Sequence, residues 1–515
     1  MQDVNWTALI IFLLLFVSIS WLGFAAAKWR KGDLDLLDEW GLGGRRFGTV
    51  MTWFLVGGDL FSAYTFVAVP ALAFGAGAIA FFAIPFTLGG FAFGFLVFPR
   101  IWYVCRKHNY ITAGDFVRGR FGNRWLALAV ATTGIVATMP YIALQLVGLQ
   151  IVIGALGISG TGFAADLPLV IAFLILAAFT YTSGLRAPAS IAILKDILIY
   201  LTGFAIIIVV PIELGGFSKI FAAVPSPKLL LAAPGPDSTG AYSAYATLVL
   251  GSAMAIIVYP HCLTGILSAS SGRVVRRNAA LLPGYSFLLG LLVLSGFFAI
   301  AAGVASLPEY AKGFKEFGNN FAVPALLLHS FPAWFVGIAF AAIGIGALVP
   351  AAIMSIAAAN LYTRNIHREF VNKKPTDKQE AQMAKRMSLI VKFGALVFII
   401  FVPTEYAIDL QLLGGVWIIQ TLPAVVLGAY TRWFNGWALF VGWAAGSIVG
   451  TAMAVAVNLV PTYPLQVAGY VFPGYTALYA VILNVALVIV LTPLFNVLSA
   501  RRTPLDETAP SDYYA

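Results

Sequence analysis

The chain has 515 residues, of which 61% are hydrophobic and only 10% are charged, and its mean hydropathy is +0.92. A soluble protein of this length does not need so much apolar surface, so the composition excludes a soluble enzyme or binding domain and indicates a membrane protein with many spans. The net charge of +10 does not require a nucleic-acid partner, because a bias of Lys and Arg toward cytoplasmic loops explains it.

Several other function classes lack their sequence signatures. Two cysteines, Cys105 and Cys262, provide neither a disulfide framework nor a CxxC metal site. No GxxxxGK[ST] loop is present, which argues against an ATP-driven pump. The four histidines form no cluster with metal-ligand or catalytic spacing, so we do not expect an enzyme. These histidines are His108, His261, His329 and His367.

Thirteen apolar segments are long enough to cross a bilayer, and we predict an all-α polytopic membrane protein with 13 transmembrane helices. The predicted spans are 7–27, 47–75, 77–104, 125–156, 167–184, 188–212, 243–270, 280–305, 331–362, 387–403, 406–430, 436–459 and 474–498. The polar residues after Arg502 are predicted to form a disordered tail.

The distribution of Lys and Arg predicts the orientation of these spans. With the N-terminus outside, the cytoplasmic loops carry 25 of the 31 basic residues, the outside loops carry four, and two lie within predicted helices. This split follows the positive-inside rule and predicts a cytoplasmic C-terminus. No cleaved signal is expected, because the basic cluster follows the first span instead of preceding it.

The second span contains the stretch WFLVGGDLFSAYTF, residues 53–66, which is unusual inside a membrane. Glycines weaken a helix and a carboxylate in the bilayer core is costly, so Gly57, Gly58 and Asp59 predict a broken helix. The backbone carbonyls freed by such a break can coordinate a small cation. The alternative is close helix packing at the glycines, with Asp59 hydrogen-bonded to a neighbouring helix.

A second break is predicted in the seventh span, where Pro260 removes a backbone donor and His261 follows it. The second and seventh spans lie five apart and therefore run in opposite directions, as expected for an inverted repeat. Two further polar positions are Ser355 in the ninth span and the adjacent Lys195 and Asp196 in the sixth. Each is a candidate cation ligand or coupling group, with close packing or snorkelling as the alternative.

Five segments, taken in order, resemble the sodium:solute symporter family. They are DEWGLGGRRFGTVMTWFLVGGDLFSAYTF, YTSGLRAP, YPHCLTG, AAIMSIAAANLYTRNI and PAVVLGAYTRWFNGWALFVGWAAGSIVG. The first of them, together with GLRAPASIAILKDILIY, is most similar to the monocarboxylate permeases of that family. The resemblance implies a 5+5 inverted repeat of the leucine-transporter type, with broken helices 2 and 7. The implied units are 1–46 (an extra N-terminal helix and a cytoplasmic loop), 47–213 and 214–430 (the two repeats), and 431–515 (two C-terminal helices and the tail).

The resemblance also implies a sodium site built from backbone carbonyls, a hydroxyl and an acidic side chain. The expected ligands are Gly57, Asp59, Leu60, Asp196, Ala352 and Ser355. The family usually carries Ser or Thr where this chain has Ile356, and Lys195 is an unusual neighbour. An isoleucine side chain supplies no oxygen, and an ammonium repels sodium or replaces it. Two couplings therefore stay open: Na⁺ at these residues, which the family favours, or a proton on Lys195, Asp196 or Asp59.

The resemblance places the substrate near the midplane, between the broken helices and spans 3, 4 and 11. The candidate lining residues are Ser62, Tyr64, Thr65, Tyr141, Gln145, His261, Gln411 and Gln420. No arginine is among them, so hydroxyls, His261, backbone N–H groups or the positive end of a half-helix would hold a carboxylate. We expect cation-coupled symport of lactate, pyruvate or propionate, or of alanine, by alternating access.

Two other functions stay open, a cation-coupled symporter of an amino acid such as proline and an uncoupled facilitator or channel. A membrane sensor would need an output module, and none is encoded. We expect no cofactor besides the coupling ion, no nucleic-acid partner and no obligate protein partner. The expected partners are the solute, the coupling ion and the lipid of a bacterial inner membrane.

Overall fold

The computed structural model describes residues 4–28, 32–158, 163–401, 407–498 and 506–514, and most of these residues are helical. The helices before residue 230 are α1 (Trp6–Ala25), α2 (Leu37–Leu42), α3 (Thr49–Leu60), α4 (Val69–Ala76), α5 (Ala83–Lys107), α6 (Ala113–Phe121), α7 (Arg124–Ala155), α8 (Phe163–Ser183), α9 (Arg186–Glu213), α10 (Phe217–Ala223) and α11 (Ser226–Leu229).

The later helices are α12 (Ala241–Ile256), α13 (Pro260–Leu267), α14 (Gly272–Leu281), α15 (Pro283–Ala301), α16 (Ala311–Phe317), α17 (Ala322–Ser330), α18 (Ala333–Leu361), α19 (Asp377–Phe401), α20 (Ile408–Ile418), α21 (Gly428–Tyr430), α22 (Gly436–Ala456) and α23 (Thr476–Leu498). Short 3₁₀ segments cover Ala26–Lys28, Gly43–Arg45, Gly77–Phe82, Val304–Ser306, Pro308–Tyr310, Gly318–Phe321, Ile419–Thr421 and Pro510–Tyr513. π-helical segments cover Tyr64–Ala68, Tyr362–Val371 and Pro423–Leu427.

Most predicted spans coincide with one or two of these helices, whereas 47–75 and 406–430 each cover at least three helical segments. Residues 402–403 and 406 of the predicted spans lie outside the described residues. By length and hydropathy, eight helices in the described part of the chain can cross a membrane, or up to ten if each bent pair is one span. The bent pairs are α12 with α13, at 46°, and Ile408–Thr421 with Pro423–Tyr430, at 41°. The structure therefore confirms a helical protein with many apolar spans, whereas the count of thirteen stays a prediction.

The first break lies a few residues after its predicted place. The glycines and Asp59 remain helical, the Phe61 N–H donates to the Gly57 carbonyl at 3.1 Å, and α3 ends at Leu60. Phe61 is extended (φ −93°, ψ 97°), and helical structure resumes as the π segment that begins at Tyr64. The first break is therefore formed by the backbone of Phe61 and Ser62. Gly57 and Gly58 do not interrupt the helix, and they allow close packing instead.

The second break is the segment Ile257–Tyr259, between α12 and α13. Tyr259 is extended (φ −61°, ψ 133°) and Pro260 begins α13, where the missing N–H of proline costs no helical hydrogen bond. The two broken helices touch, because a Cβ on Gly265 of α13 would lie 2.9 Å from the side chain of Val56 in α3. The breaks therefore belong to one region of the fold.

One element was absent from the all-α prediction. The loop between α22 and α23 forms an antiparallel hairpin of β1 (Thr462–Val467) and β2 (Tyr470–Tyr475). Ala468 and Gly469 both have positive φ, at 51° and 84°, as two-residue hairpin turns require. Tyr475 at the end of β2 is buried and donates from its hydroxyl to the Leu412 carbonyl at 2.6 Å. This contact ties the hairpin to α20.

The C-terminal residues also differ from prediction, because residues 506–514 pack against the protein instead of being disordered. Asp506 pairs with Arg120 of α6 at 2.7 Å, and Asp512 pairs with Lys107 at 2.5 Å. Tyr513 is buried. Charge explains the difference, since acidic residues of the tail pair with basic residues in segments for which the sequence predicts a cytoplasmic position.

Candidate cation and substrate site

Lys195 of α9 reaches into the first break. Its ammonium donates to the Gly58 carbonyl and to the Phe61 carbonyl at 2.8 Å, and it forms an ion pair with Asp196 Oδ1 at 2.9 Å. The Lys195 and Asp196 side chains are both fully buried. The break explains the geometry, because a continuous helix would use the Gly58 carbonyl for the N–H of residue 62. The carbonyl end of α3 also carries the negative end of its dipole, which favours a cation.

The second oxygen of Asp196 has a partner that the sequence analysis missed. Tyr285 of α15 donates from its hydroxyl to Asp196 Oδ2 at 2.6 Å. The two glycines make room for this network. A Cβ on Gly57 would overlap the Tyr285 ring, and a Cβ on Gly58 would lie 2.8 Å from the Lys195 ammonium. Close packing at the glycines and polar chemistry at the break therefore occur together.

Three of the other expected sodium ligands, Gly57, Ala352 and Ser355, are engaged within their own helices. The Gly57 carbonyl accepts from Phe61, as described above, and the Ser355 hydroxyl donates to the Ala352 carbonyl at 2.8 Å. Ser355 is fully buried in α18, as is Ile356, which has no side-chain oxygen. Leu60 is the last residue of α3. The strongest cation contacts at the first break are therefore those of Lys195.

Asp59 faces the second break. Its Oδ2 lies 3.5 Å from Nε2 of His261, which is within ion-pair range but makes no hydrogen bond. The His261 ring lies against two tyrosine rings, with centroid distances of 4.9 Å to Tyr259 and 5.3 Å to Tyr141. The Tyr259 hydroxyl donates to the Gln411 carbonyl at 3.0 Å. One predicted cation ligand and three predicted substrate residues are therefore brought together here.

One group of buried polar atoms without a hydrogen bond lies around the two breaks. Their side chains make no hydrogen bond through these atoms to any residue the structure describes. The atoms belong to Asp59 (Oδ1), Tyr64 (hydroxyl), Thr65 (hydroxyl), Gln145 (both amide atoms), Asp196 (Oδ1, which forms the ion pair with Lys195), His261 (both ring nitrogens) and Gln411 (amide oxygen). A buried polar group without a partner is costly, so such a cluster is typical of a site that binds something polar.

The segment after the first break and helix α7 carry several of these unpartnered side chains. The Tyr64 and Thr65 backbones follow the first break, where Ser62 accepts from the Tyr64 N–H through its hydroxyl at 3.3 Å. Gln145 lies three residues before Gly148 in α7, and a Cβ on Gly148 would overlap Ala63 in the first break. Residues three apart share a helix face, so Gln145 is on the side of α7 that packs against this break.

Gln420 is the one predicted substrate residue that the structure places elsewhere. Its amide nitrogen donates to the Val416 carbonyl at 3.1 Å, and its amide oxygen accepts from Asn484 of α23 at 3.1 Å. These bonds connect helices 11 and 13 of the predicted count. Gln420 is therefore partnered in a helix seam, whereas Gln411, nine residues earlier, lies beside Tyr259.

The sequence analysis missed two side chains of the candidate site, Tyr285 and Tyr259. A tyrosine hydroxyl inside a membrane needs a hydrogen-bond partner. This requirement was the sign in the sequence that both tyrosines contact other polar groups. Tyr259 also directly precedes the proline of the second break. The identity of each partner depends on a contact between distant helices, which a single sequence does not show.

The chain is similar to known transporters. The family model described as "Sodium:solute symporter family" matches residues 40–450. A protein of Rhizobium johnstonii named monocarboxylate transport permease protein is 49% identical over 500 residues, which are 96% of this chain and 98% of the relative. The uncharacterized symporter YodF of Bacillus subtilis is 31% identical over 506 residues, which are 98% of this chain and 96% of that protein.

A solved structure supports the fold. It is the substrate-bound, outward-open state of a Na⁺-coupled sialic acid symporter, with a TM-score of 0.73 and 15% sequence identity. The match covers 95% of this chain and 98% of that chain. At this low identity the likeness shows the fold alone, and it agrees with the multi-pass helical architecture described above.

Proposed function

Because this chain belongs to the sodium:solute symporter family, we propose that it carries a small monocarboxylate across the membrane together with a cation. The related proteins are transporters and not enzymes. The observation that carries the proposal is the cluster of buried, unpartnered polar atoms at the two breaks, on Tyr64, Thr65, Gln145, His261 and Gln411.

The chemistry of this cluster suits a small carboxylate. Tyr64 and Thr65 supply hydroxyl donors, Gln145 supplies an amide donor, and His261 sits at the start of α13, where the positive end of the helix dipole lies. The neighbouring rings of Tyr141 and Tyr259 limit the size of the solute. The name of the Rhizobium johnstonii relative supports monocarboxylates as the substrate class, with lactate, pyruvate, propionate and alanine as candidates.

The coupling ion has two candidates. Family membership and the fold shared with a Na⁺-coupled symporter support sodium. The buried Lys195, Asp196 and Asp59 support a proton as the alternative, because they lie where a coupling ion is expected to bind. In either case the cation favours the state that assembles the pocket, and rocking of one helix bundle against the other then exposes the solute to the opposite side.

The test uses the purified full-length protein in liposomes with sodium and pH gradients imposed independently. Uptake is measured with radiolabelled lactate, pyruvate, propionate, alanine and proline. We expect a monocarboxylate to accumulate above equilibrium under at least one cation gradient. Equal uptake in choline buffer at fixed pH would discard sodium and leave the proton. Accumulation of proline alone would favour the amino-acid function, and counterflow without any accumulation would favour a facilitator.

The same transport assay tests the role of Asp59 with one substitution and a control. We expect Asp59→Ala to abolish concentrative uptake while the protein still inserts into the membrane, because its carboxylate joins the two breaks. Thr52→Val is the control, since Thr52 is buried in the same helix and its hydroxyl donates to the Phe47 carbonyl at 3.3 Å, away from the breaks. Full accumulation by Asp59→Ala would remove Asp59 from the mechanism.

A further inference from the structure

The ammonium of Lys195 is held by three oxygens inside the membrane. It donates hydrogen bonds to the Gly58 carbonyl and the Phe61 carbonyl. Asp196 Oδ1, at 2.9 Å, is its ion-pair partner. The two carbonyls are available because the helix is interrupted after Leu60. Carbonyl and carboxylate oxygens are the ligands that a small cation uses at a broken helix, and here they hold the ammonium of a side chain.

The surrounding residues are shaped to this ammonium. Gly58 has no side chain, and a Cβ there would lie 2.8 Å from the Lys195 nitrogen and 3.0 Å from both Asp196 oxygens. Tyr285 holds the other oxygen of Asp196, and it fits only because Gly57 also lacks a side chain. A lysine that merely snorkelled toward the membrane surface would leave its end in water, but the Lys195 side chain is fully buried.

The oxygens expected for a sodium ion are less suitable than those that hold the ammonium. The Gly57 carbonyl accepts from the Phe61 N–H, and the Ser355 hydroxyl donates to the Ala352 carbonyl. Ile356 contributes no oxygen. A sodium ion at this position would also meet the positive charge of Lys195 where little water screens it.

We propose that Lys195 is the resident cation of the first break and that it takes the place in which the family's sodium ion is expected. The inference rests on the proposed function, because it states what occupies the cation position of the proposed symporter. Lys195, paired with Asp196, therefore neutralises the carbonyl end of α3 without an exchangeable ion. Any sodium that drives uptake must bind at a different place.

The test measures binding of radioactive sodium to the purified, detergent-solubilised full-length protein by scintillation proximity. We expect the Ser355→Ala variant to bind as much sodium as the unchanged protein, because Ser355 holds no ion. We expect Lys195→Ala to bind one further sodium ion per chain, since two freed carbonyls and the Asp196 carboxylate then lack their cation. The double variant Lys195→Ala/Asp196→Asn should lose this gain, because it removes the charged ligand of the freed site.

Two results would overturn the inference. One is loss of sodium binding in Ser355→Ala alone, and the other is a folded Lys195→Ala protein that binds no more sodium than the unchanged chain. If Lys195→Ala does not yield a monodisperse protein, the comparison of the unchanged chain with Ser355→Ala still decides. These measurements use no solute, so their failure is distinguishable from failure of the proposed monocarboxylate transport.

Discussion

The two breaks leave backbone groups without their helical partners, and the chain satisfies them in different ways. At the first break the carbonyl end of α3 faces a fully buried ion pair, Lys195 with Asp196. At the second break α13 begins with Pro260, which has no N–H to satisfy, and the nearby contacts are a tyrosine hydroxyl, aromatic rings, and Asp59 at 3.5 Å from His261.

The difference follows from the direction of the helices. The first break exposes a helix C-terminus, which attracts positive charge, and α13 exposes a helix N-terminus, which attracts negative charge. The cation-binding side and the carboxylate-binding side of the proposed pocket are therefore separated by helix polarity. We expect substitutions at the first break to be more damaging than those at the second, because a buried charge without its partner costs more than a neutral group without one.

The largest effect is expected at Lys195. Lys195→Met leaves the Asp196 carboxylate buried and unpaired, and we expect it to lower the free energy of unfolding by about 3–5 kcal/mol. The double variant Lys195→Met/Asp196→Asn removes both charges and should recover a large part of that loss. Reversible unfolding in mixed SDS micelles measures both values. If the single and double variants were equally stable, the pair would not be ionic.

The next effect is expected at Tyr285, the hydroxyl donor of the first break. Tyr285→Phe removes a hydrogen bond to a charged oxygen and should cost about 1.5–3 kcal/mol. The same unfolding assay measures this loss. The control is Tyr285→Phe in the Asp196→Asn variant, where the substitution should cost less free energy of unfolding. An unchanged cost in that background would show that Tyr285 acts through packing alone.

A smaller effect is expected at the second break. Tyr259→Phe removes the hydrogen bond from a neutral hydroxyl to the Gln411 carbonyl and should cost about 0.5–1.5 kcal/mol. The retained ring should keep the contacts with Tyr141 and His261. A loss as large as that of Tyr285→Phe would contradict the difference between the two breaks.

The smallest effect is expected far from both breaks, at Asp512 in the C-terminal segment. Burial opposes its ionisation, but hydrogen bonds from the Ala509 N–H, Lys107 and His108 outweigh burial and hold the pKa of the Asp512 carboxyl well below its ordinary value. Lys107 is 58% exposed, so solvent screens this pair. Asp512→Asn should therefore cost less than about 1 kcal/mol.

The pH dependence of this small effect has a definite sign. A carboxyl group with a lowered pKa in the folded protein stabilises it above the ordinary carboxyl pKa of about 3.9. The contribution is lost as the pH falls below that value toward the folded-state pKa. The difference in unfolding temperature between the unchanged protein and Asp512→Asn should thus be constant near neutral pH and narrow in acid. A difference that widened in acid would contradict this assignment.

The candidate site shows what one sequence can reveal. An acid, two glycines and a proline inside apolar spans are expensive, so Asp59, Gly57, Gly58 and Pro260 marked the breaks without any structure. The break itself came after Leu60, because Gly57 and Gly58 make room for neighbouring side chains while remaining helical. Helix ends depend on such contacts, which local propensity does not contain.

The partners of the polar residues show what one sequence does not reveal. Lys195 and Asp196 are adjacent in sequence, but Gly58 and Tyr285 lie 137 and 89 residues away from them, respectively. Gln411 and Gln420 occupy one apolar stretch, yet only Gln411 lies beside the second break. Which side of a helix faces which neighbour is decided by packing, and a hydrophobic stretch in a membrane protein has little amphipathic pattern to indicate it.

The amino-acid sequence by itself determined that this protein is an apolar, multi-pass helical protein with polar chemistry at two points inside the membrane. These features follow from the cost of placing charge, glycine and proline in a bilayer. Only the tertiary structure decided that the ammonium of Lys195 lies on the carbonyls of the first break, that Asp59 meets His261, and that the acidic tail packs on basic loops. Such contacts depend on how helices far apart in the chain are arranged, because satisfied buried polar groups require partners at a specific distance.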